Sequence, residues 1–523
     1  MINRIAVILA WGAAGLPAPA AETKPEGVTD IGSRLELFLD DALVARLTGK
    51  AELRLHHPVP RELALRHDAA WEGTGTGYHS VFRDGDRYRM YYKAWHLEVQ
   101  PGANGKATLN TGSHPLYTCY AESRDGIHWT KPGLGLVEFR GSTENNIVLA
   151  SGDWQGVKID AGHIALARDE NPAAAPDAKY KGFVLSASPK GLLAFKSPDG
   201  IHWSPMRQEP VLTAGAFDSQ NLAFWDGARG EYRAYWRIFT AGVTSDKEWK
   251  PAGHRAIRTA TSKDFLHWEN QRDVAYAGSP SEQLYTNVVK PYPGAPHILV
   301  GFPTRYVERG WSESMRALPE LEHREMRASI NPRYGTAITE GLLMTSRDGV
   351  NFHRWNEAFL RPGPERDGTW QYGQQYIAWH LVETRAALEG EPDEFSLYAG
   401  ESYWTGSSSE LRRYTIRKDG LVSAHAPMSG GEVLGKPIRF TGRRLVLNFS
   451  TSAAGSVRVE LQDADGKAMP GFALDDCEET YGDSLRRVVH WKSGADVSAA
   501  AGQTVRLRFA LRDADVFAFR FQD

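Results

Sequence analysis

The sequence predicts an all-β fold in which a five-bladed β-propeller is followed by a C-terminal β-sandwich. Three observations support this prediction. A short polar phrase recurs four times, strand-like runs fill the intervals between its copies, and the character of the chain changes after about residue 426. Sustained helical periodicity is almost absent from these intervals. A repeat of this length indicates supersecondary units that bury their hydrophobic faces against one another.

The repeated phrase begins with Ser-x-Asp and ends in an aromatic residue. Its copies start at Ser123, Ser197, Ser262 and Ser346, with spacings of 74, 65 and 84 residues. Serine and aspartate side chains commonly hydrogen-bond the backbone of a turn, and a large indole can fill the gap between neighbouring units. The phrase therefore predicts the same type of turn at the end of each of the four units that carry it.

Hairpins precede the phrases. HSVFRDGDRYRMYYKAW at 79–95 and NLAFWDGARGEYRAYWRIF at 221–239 place aromatic residues on both sides of a short Asp/Gly turn. With one further strand and the phrase, each unit has about four strands, as a propeller blade has. The predicted blades are residues 74–132, 144–206, 217–270, 282–357 and 370–425. Residues 35–45 are predicted either to add a strand that joins the ends of the ring or to form a simple edge strand.

The remaining segments complete the predicted domain organisation. After about residue 426, short alternating runs such as GSVRVELQDADG and TVRLRFALRD predict a β-sandwich at 426–523. Residues 1–21 have a basic start, an apolar core and the small-residue site Ala18-Pro19-Ala20, which predicts a cleaved signal peptide or, alternatively, an uncleaved anchor. The propeller would span 22–425. We therefore expect a secreted or periplasmic protein.

Composition excludes several classes of function. The formal net charge of −3 provides no basic field for nucleic acid, and the predicted leader is too short to span a membrane. Two cysteines cannot build a disulfide framework, and neither a clustered Cys/His spacing nor a Gly-x-Ser-x-Gly elbow occurs. We expect no metal and no cofactor. The oligomeric state is left open by the sequence.

The Ser-x-Asp-Gly phrases, the hairpins and the C-terminal strands together resemble the five-bladed propeller glycoside hydrolases. These include the invertases and levanases of family 32 and the arabinanases and xylosidases of family 43. The chain lacks the W-x-N-D-P-N-G and R-D-P motifs of family 32, so it resembles a divergent bacterial branch. The resemblance implies a glycosidase with a carbohydrate substrate bound in the axial funnel, where one carboxylic acid donates a proton and a carboxylate acts opposite it.

Polar residues at the starts of the predicted inner strands are the candidates for that funnel. Asp218 is the candidate nucleophile or base and Glu282 the candidate general acid, while Asp160 is a third carboxylate that would orient the sugar. Asp218 is alternatively a carboxylate that orders the loop before its strand, Glu282 a solvated loop glutamate and Asp160 a structural residue. The candidate substrate-binding residues are Glu72, Tyr78, His79, His163, Asn221, Tyr285, Asn287, Arg305, Tyr372 and Gln374.

Two other functions fit the same residues. The protein is alternatively a non-catalytic carbohydrate-binding propeller, in which Asp218 and Glu282 would be dispensable. It is alternatively a polysaccharide lyase or a sialidase-like enzyme, which would need a cluster of tyrosines or arginines at the reactive centre. The sugar, the linkage and the stereochemical outcome are not determined by the sequence.

Overall fold

The computed structural model describes residues 27–100, 107–245, 247–404 and 409–523. The structure is mostly β, with 50% of residues in strands and 5% in helices, and its curled sheets are consistent with a propeller-type fold. The predicted signal peptide lies outside the described residues. No described helix is both long enough and apolar enough to cross a membrane.

Five antiparallel sheets follow one another in the described part of the chain. Most of their strands lie within a few residues of the five predicted segments, and Ile147–Ala150 and Val59–Arg66 are exceptions. We number them sheet 1 to sheet 5 in chain order. Sheet 1 contains Gly77–Asp84, Arg87–Ala94, Tyr117–Ser123 and Trp129–Thr130, with Ile147–Ala150 paired to the third strand. Sheet 2 contains Gly152–Trp154, Val157–Arg168, Tyr180–Ala187, Lys190–Ser197 and Ser204–Pro205. Sheet 3 contains Leu222–Asp226, Glu231–Thr244, Trp249–Ser262 and Glu269–Asp273.

The last two sheets are less regular. Sheet 4 contains Lys290–Tyr292, Ala295–Gly301, Met344–Ser346 and His353–Arg354. A small sheet of Gln283–Leu284, Thr304–Glu308 and Ala337–Gly341 extends it. Sheet 5 contains Val382–Thr384, Glu394–Glu401, Glu410–Ile416 and Val59–Arg66. The two hairpins predicted at the Asp/Gly turns are confirmed by the strand pairs on either side of them.

The outer strand of sheet 5 comes from the other end of the chain. Val59–Arg66 pairs with Glu410–Ile416, so the N-terminal and C-terminal parts of this region are joined in one sheet. Of the two alternatives predicted for residues 35–45, the strand that joins the ends of the ring was wrong, because Glu36–Leu37 and Val44–Gly49 pair with C-terminal strands instead. Val44–Gly49 lies at the edge of that sheet, as the other alternative predicted. Alternation of apolar residues predicted a strand at 35–45, but nothing local specified its partner.

The repeated phrase forms the same turn four times. In the first copy, Ser123 Oγ accepts hydrogen bonds from the backbone N–H groups of Asp125 and Gly126, at 3.2 and 2.9 Å. Asp125 Oδ1 accepts from the backbone of Ile127 and His128, at 2.8 Å each. The copies that begin at Ser197, Ser262 and Ser346 repeat these contacts. Each turn therefore satisfies these backbone donors with its own serine and aspartate side chains.

An eight-stranded sheet contains most of the C-terminal residues together with three strands from the N-terminal part of the chain. Its strands are Glu36–Leu37, Val44–Gly49, Glu52–Leu55, Val422–Ala426, Gly431–Gly435, Arg444–Gln462, Asp483–Val488 and Arg506–Gln522. Thr29–Gly32 also pairs, in parallel, with Ile438–Phe440. The apolar core of this region includes Phe38, Phe449 and Trp491, all buried. The C-terminal strands thus share one core with the N-terminal segment.

Short helices and hairpins lie between the main strands. Three α-helices, α1 (Glu313–Ala317), α2 (Leu321–Ala328) and α3 (Pro332–Thr336), follow the strand Thr304–Glu308. The described residues include 3₁₀ turns at Pro176–Ala178 and Ser498–Ala500. The strands Glu98–Gln100 and Thr108–Asn110 pair with each other, and residues 101–106 lie outside the described ranges.

Candidate functional site

A cavity of about 220 Å³ is lined by residues from sheets 1, 2 and 5, from the segments before sheets 3 and 4, and from α3. Its wall combines aromatic rings with acidic and basic side chains, the composition expected of a site for a small polar ligand. It is lined by Thr76, Gly77, Tyr78, His79, Lys93, Trp95, Leu97, Leu109, His163, Asp218, Tyr285, Arg333, Tyr334, Tyr372, Gly373, Tyr376, Gly400, Glu401, Tyr403, Trp404, Ser409 and Glu410. Five residues predicted from the sequence to bind substrate, and the candidate catalytic Asp218, therefore meet in one place.

Asp218 is ionised at the wall of this cavity. It precedes the strand Leu222–Asp226 and forms an ion pair with Arg237 of the neighbouring strand, whose side chain is buried. Burial opposes ionisation, but the charges of Arg237 and His163 outweigh it and hold the pKa of Asp218 below its ordinary value. A carboxylate kept ionised in this way is suited to act as a base or a nucleophile.

A second carboxylate, Asp160, reaches the cavity through a histidine. Asp160 Oδ2 lies 2.9 Å from Nδ1 of His163, and the backbone N–H of Gly162 donates to Oδ1 at 2.8 Å. Burial is outweighed by His163 and these hydrogen bonds, so the pKa of Asp160 is lowered. The carboxylate fixes the orientation of the imidazole, which leaves the other ring nitrogen of His163 free to exchange a proton at the cavity.

Lys93 lies beside these groups and is only 4% exposed. Its ammonium lies 4.6 Å from the centre of the Tyr78 ring and 4.7 Å from that of Trp95. Burial lowers its pKa to about 8, against the attraction of Asp160 and Asp218. Tyr78 itself adopts a φ of 53°, a left-handed conformation that is costly for an aromatic residue.

Tyrosine rings form much of the remaining wall. Tyr285 and Tyr372 share a hydrogen bond of 3.0 Å between their hydroxyls. The ring of Tyr376 lies 5.4 Å from that of Tyr285 and 6.3 Å from that of Tyr78. Burial raises the pKa of Tyr372 and Tyr376 well above the ordinary value, so both hydroxyls stay protonated. These rings offer flat apolar faces with hydrogen-bonding edges, which suit the faces and hydroxyls of a sugar.

Arg333 of α3 lies on the same side as Tyr372. Its guanidinium carbon is 4.5 Å from the centre of the Tyr334 ring and 5.6 Å from that of Tyr372. Its Nη2 donates to the Tyr334 hydroxyl at 3.4 Å, and its buried Nη1 has no hydrogen-bond partner among the residues that the structure describes. By contrast, Glu401 is paired with Arg366 and Arg412, and Glu410 lies 3.4 Å from Arg66.

Glu282, the predicted general acid, is not among the residues that line the cavity. Its carboxylate lies 3.1 Å from Arg305 and 2.8 Å from Arg354. Arg305, predicted to bind an acidic sugar, also pairs with Glu340 at 2.6 Å and is likewise outside the cavity wall. Because Glu282 is held between two guanidinium groups and lies outside the cavity wall, this geometry favours a structural role for it.

Four more predicted residues are buried away from the cavity. Glu72 accepts from Tyr92 and pairs with Lys131 at 2.7 Å. Asn221 donates to the carbonyls of Phe217 and Ser219, which orders the loop that carries Asp218. Asn287 and Gln374 are 1% and 0% exposed. The side chains of these residues are buried in the protein, and the position of a residue in the sequence does not by itself determine this.

His79 lines the cavity and also contacts the interior. Its Nε2 lies 3.1 Å from Nε2 of His67, and both rings pack on Tyr92. Burial, together with the charges of His67 and Lys93, lowers its pKa well below the ordinary value. His79 is therefore neutral at physiological pH. It contributes a hydrogen bond rather than a charge.

Sequence reasoning missed Lys93, Arg237 and Arg333. Lys93 and Arg237 stand in otherwise apolar strands, in MYYKAW and AYWRIF. A charged residue in such a run is visible in the sequence and indicates a buried charge with a specific role. Arg333 lies in the insertion that carries the three helices, and no local pattern marks it. In the part of the chain that the structure describes, no group of three His, Cys, Asp or Glu side chains is arranged to hold a metal ion.

No family model and no curated protein match the chain. Solved structures with a similar fold include a glycoside hydrolase, with 12% identity and a TM-score of 0.41 over 70% of this chain and 93% of the other. A thermostable family-43 glycoside hydrolase has 11% identity and a TM-score of 0.40 over 68% and 93%. An N-acetylgalactosamine deacetylase from F. plautii has 14% identity and a TM-score of 0.39 over 69% and 94%.

Proposed function

We propose that the protein is a glycosidase that hydrolyses a glycosidic bond in the cavity lined by Asp218, His163 and the tyrosines. The observation that carries this proposal is the meeting of an ionised carboxylate, a carboxylate-bound histidine and a set of aromatic rings on one wall. Hydrolysis needs a group that donates a proton to the leaving oxygen and a carboxylate that acts on the opposite side.

In this proposal Asp218 is the carboxylate that acts as base or nucleophile. Arg237 keeps it ionised and fixes its direction. His163 donates the proton to the leaving oxygen, and Asp160 orients its ring through the contact of 2.9 Å. Tyr285, Tyr372 and Tyr376 hold the sugar. Glu282 takes no part in the reaction.

The architecture that goes with this function is a five-bladed propeller within residues 22–425 and a β-sandwich at 426–523, to which the N-terminal strands between Thr29 and Leu55 also contribute. The five successive sheets and the strand Val59–Arg66 that joins the last of them support the propeller. The cavity then lies among residues that several blades contribute. We further propose that the chain is exported, on the pattern of residues 1–21.

A β-elimination on a uronic acid is the second candidate, and the buried Lys93 with the tyrosine cluster favours it. In that reaction a base removes the proton at C5, a double bond forms between C4 and C5, and the bond from C4 to the leaving oxygen breaks. Lys93 would neutralise the uronate carboxylate, and Tyr78 or His163 would move the protons. This arrangement needs no nucleophilic carboxylate.

Product analysis separates these possibilities. The purified protein is incubated with a panel of plant and algal polysaccharides, and products are examined by mass spectrometry and ultraviolet absorbance. Hydrolysis adds one water per cleaved bond, whereas elimination adds none and gives an absorbing unsaturated uronate. Asp218→Asn should abolish hydrolysis, and Asp367→Asn, which changes an exposed aspartate, serves as the matched control. Binding without any product would instead indicate a carbohydrate-binding protein.

A further inference from the structure

The acidic and the basic side chains of the cavity wall differ in whether they have a partner of opposite charge. Each acidic side chain there has a cationic partner: Arg237 for Asp218, Arg366 and Arg412 for Glu401, and Arg66 for Glu410. Asp160, behind the wall, lies 2.9 Å from Nδ1 of His163. The basic side chains Lys93 and Arg333 have no such partner. Within the described ranges, no carboxylate oxygen lies within 4.0 Å of either group.

For Lys93, the absence of a carboxylate partner costs folding free energy. A lysine that is 4% exposed normally pairs its ammonium with a carboxylate or a ligand anion, because a buried charge without a close partner is strongly unfavourable. The rings of Tyr78 and Trp95 lie against the Lys93 ammonium, while Asp160 and Asp218 attract it from beyond 4.0 Å. At the other end of the tyrosine cluster, the partly buried Arg333 donates from Nη2 to the Tyr334 hydroxyl at 3.4 Å, and its buried Nη1 has no hydrogen-bond partner among the described residues. Both groups face the space that a ligand would fill.

We infer that the cavity takes an acidic carbohydrate, with Lys93 binding the anionic group of the sugar next to Asp218 and Arg333 binding a second anionic or strongly polar group. The inference rests on the proposed function only in placing a carbohydrate in the cavity. It holds for hydrolysis and for elimination alike. The shared chemistry is a carboxylate or a sulfate ester, and both accept charge-assisted hydrogen bonds from ammonium and guanidinium groups.

The tyrosine rings connect the two positions. From Tyr78, beside Lys93, the rings of Tyr376, Tyr285 and Tyr372 follow at 6.3, 5.4 and 6.2 Å, and Tyr372 adjoins Arg333. A sugar that packs along these rings therefore has a cation at each end. A neutral sugar would offer neither cation an anionic partner and would therefore bind more weakly.

Calorimetric titration tests this inference without any turnover. Asp218→Asn protein is titrated with glucuronate, galacturonate, glucose 6-sulfate, galactose 6-sulfate, glucose and galactose. We expect at least one acidic sugar to bind about ten- to a hundredfold more tightly than its neutral counterpart, as expected for a charge-assisted contact. Whether the preferred probe is the uronate or the sulfate identifies the anionic group.

Variants assign the preference to the two cations. Lys93→Met and Arg333→Met should each reduce the preference for the acidic sugar about tenfold or more, while exposed Lys50→Met and Arg309→Met should not change it. Circular dichroism verifies folding. An equal affinity for acidic and neutral sugars, no measurable binding of any acidic sugar, or an undiminished preference in both cavity variants would overturn the inference. Asp218-dependent cleavage of a neutral glycan would overturn it while upholding the proposed function, and Lys93-dependent acid binding without cleavage would do the reverse.

Discussion

Replacing Lys93 by methionine should stabilise the unliganded protein, although the same change should weaken ligand binding. Methionine has a similar length and keeps favourable contacts with the rings of Tyr78 and Trp95 through its sulfur. It removes a charge that folding must strip of water. The predicted gain therefore measures how much stability the protein gives up to hold an unpaired cation in its cavity.

The magnitude follows from the pKa of Lys93, which burial lowers from 10.5 to about 8. At about 1.4 kcal/mol for each pH unit, keeping the ammonium charged costs the folded state about 3 kcal/mol at neutral pH. The cation–π contacts that methionine only partly replaces return about 1 kcal/mol of this. We therefore expect Lys93→Met to raise the free energy of unfolding by about 2 kcal/mol.

The pH dependence gives the sharper test. Below pH 8 the lysine is protonated in both the folded and the unfolded protein, and the full cost applies. Between pH 8 and 10.5 the folded protein releases its proton first, so the stability of the wild type rises relative to the variant. The advantage of Lys93→Met should therefore shrink steadily over that range.

Urea unfolding followed by fluorescence at several pH values measures both effects, with Lys50→Met as the control for loss of an exposed charge. A wild type that is more stable than Lys93→Met at neutral pH would refute the reasoning. So would a stability difference that does not change as the pH rises past 8.

Three further predictions concern catalysis, the repeated turn and the C-terminal strands. Asp218→Asn should lower kcat on a cleaved glycan at least about a hundredfold while the protein stays folded. Glu282→Gln should retain most of the activity and lose stability, because it weakens the ion pairs with Arg305 and Arg354. Equal losses of kcat in both variants would show that Glu282 takes part in the reaction. Phe265→Gly should destabilise the protein by about 2 to 4 kcal/mol in thermal unfolding. Glycine removes about 1 kcal/mol of backbone strain at the φ of 70°, but the loss of the buried phenylalanine ring costs more. An unchanged or raised Tm would contradict this prediction. Removal of residues after 425 should cause aggregation, since it uncovers the apolar residues of the strands at 36–55; a soluble, fully active truncated protein by sedimentation and assay would contradict it.

The sequence by itself determined the local structure of the repeated phrase. Ser123 and Asp125 bond the backbone within a few residues, so the type of turn follows from the residues that form it. The hairpins at Asp84 and Asp226 follow for the same reason. Strand positions were also predictable, because alternation of apolar residues is a local property.

Only the tertiary structure decided which strands pair across the chain and which polar side chains share the cavity. Val59–Arg66 joins a strand about 350 residues away in sequence, and residues 35–45 join the C-terminal sheet, although both segments read simply as strands. Asp218 and Glu282 likewise looked equivalent at the starts of their strands. The structure pairs the first with Arg237 at the cavity wall and holds the second between Arg305 and Arg354. The orientation of a side chain at a strand end depends on the loops and charges that pack around it, and these come from distant parts of the chain.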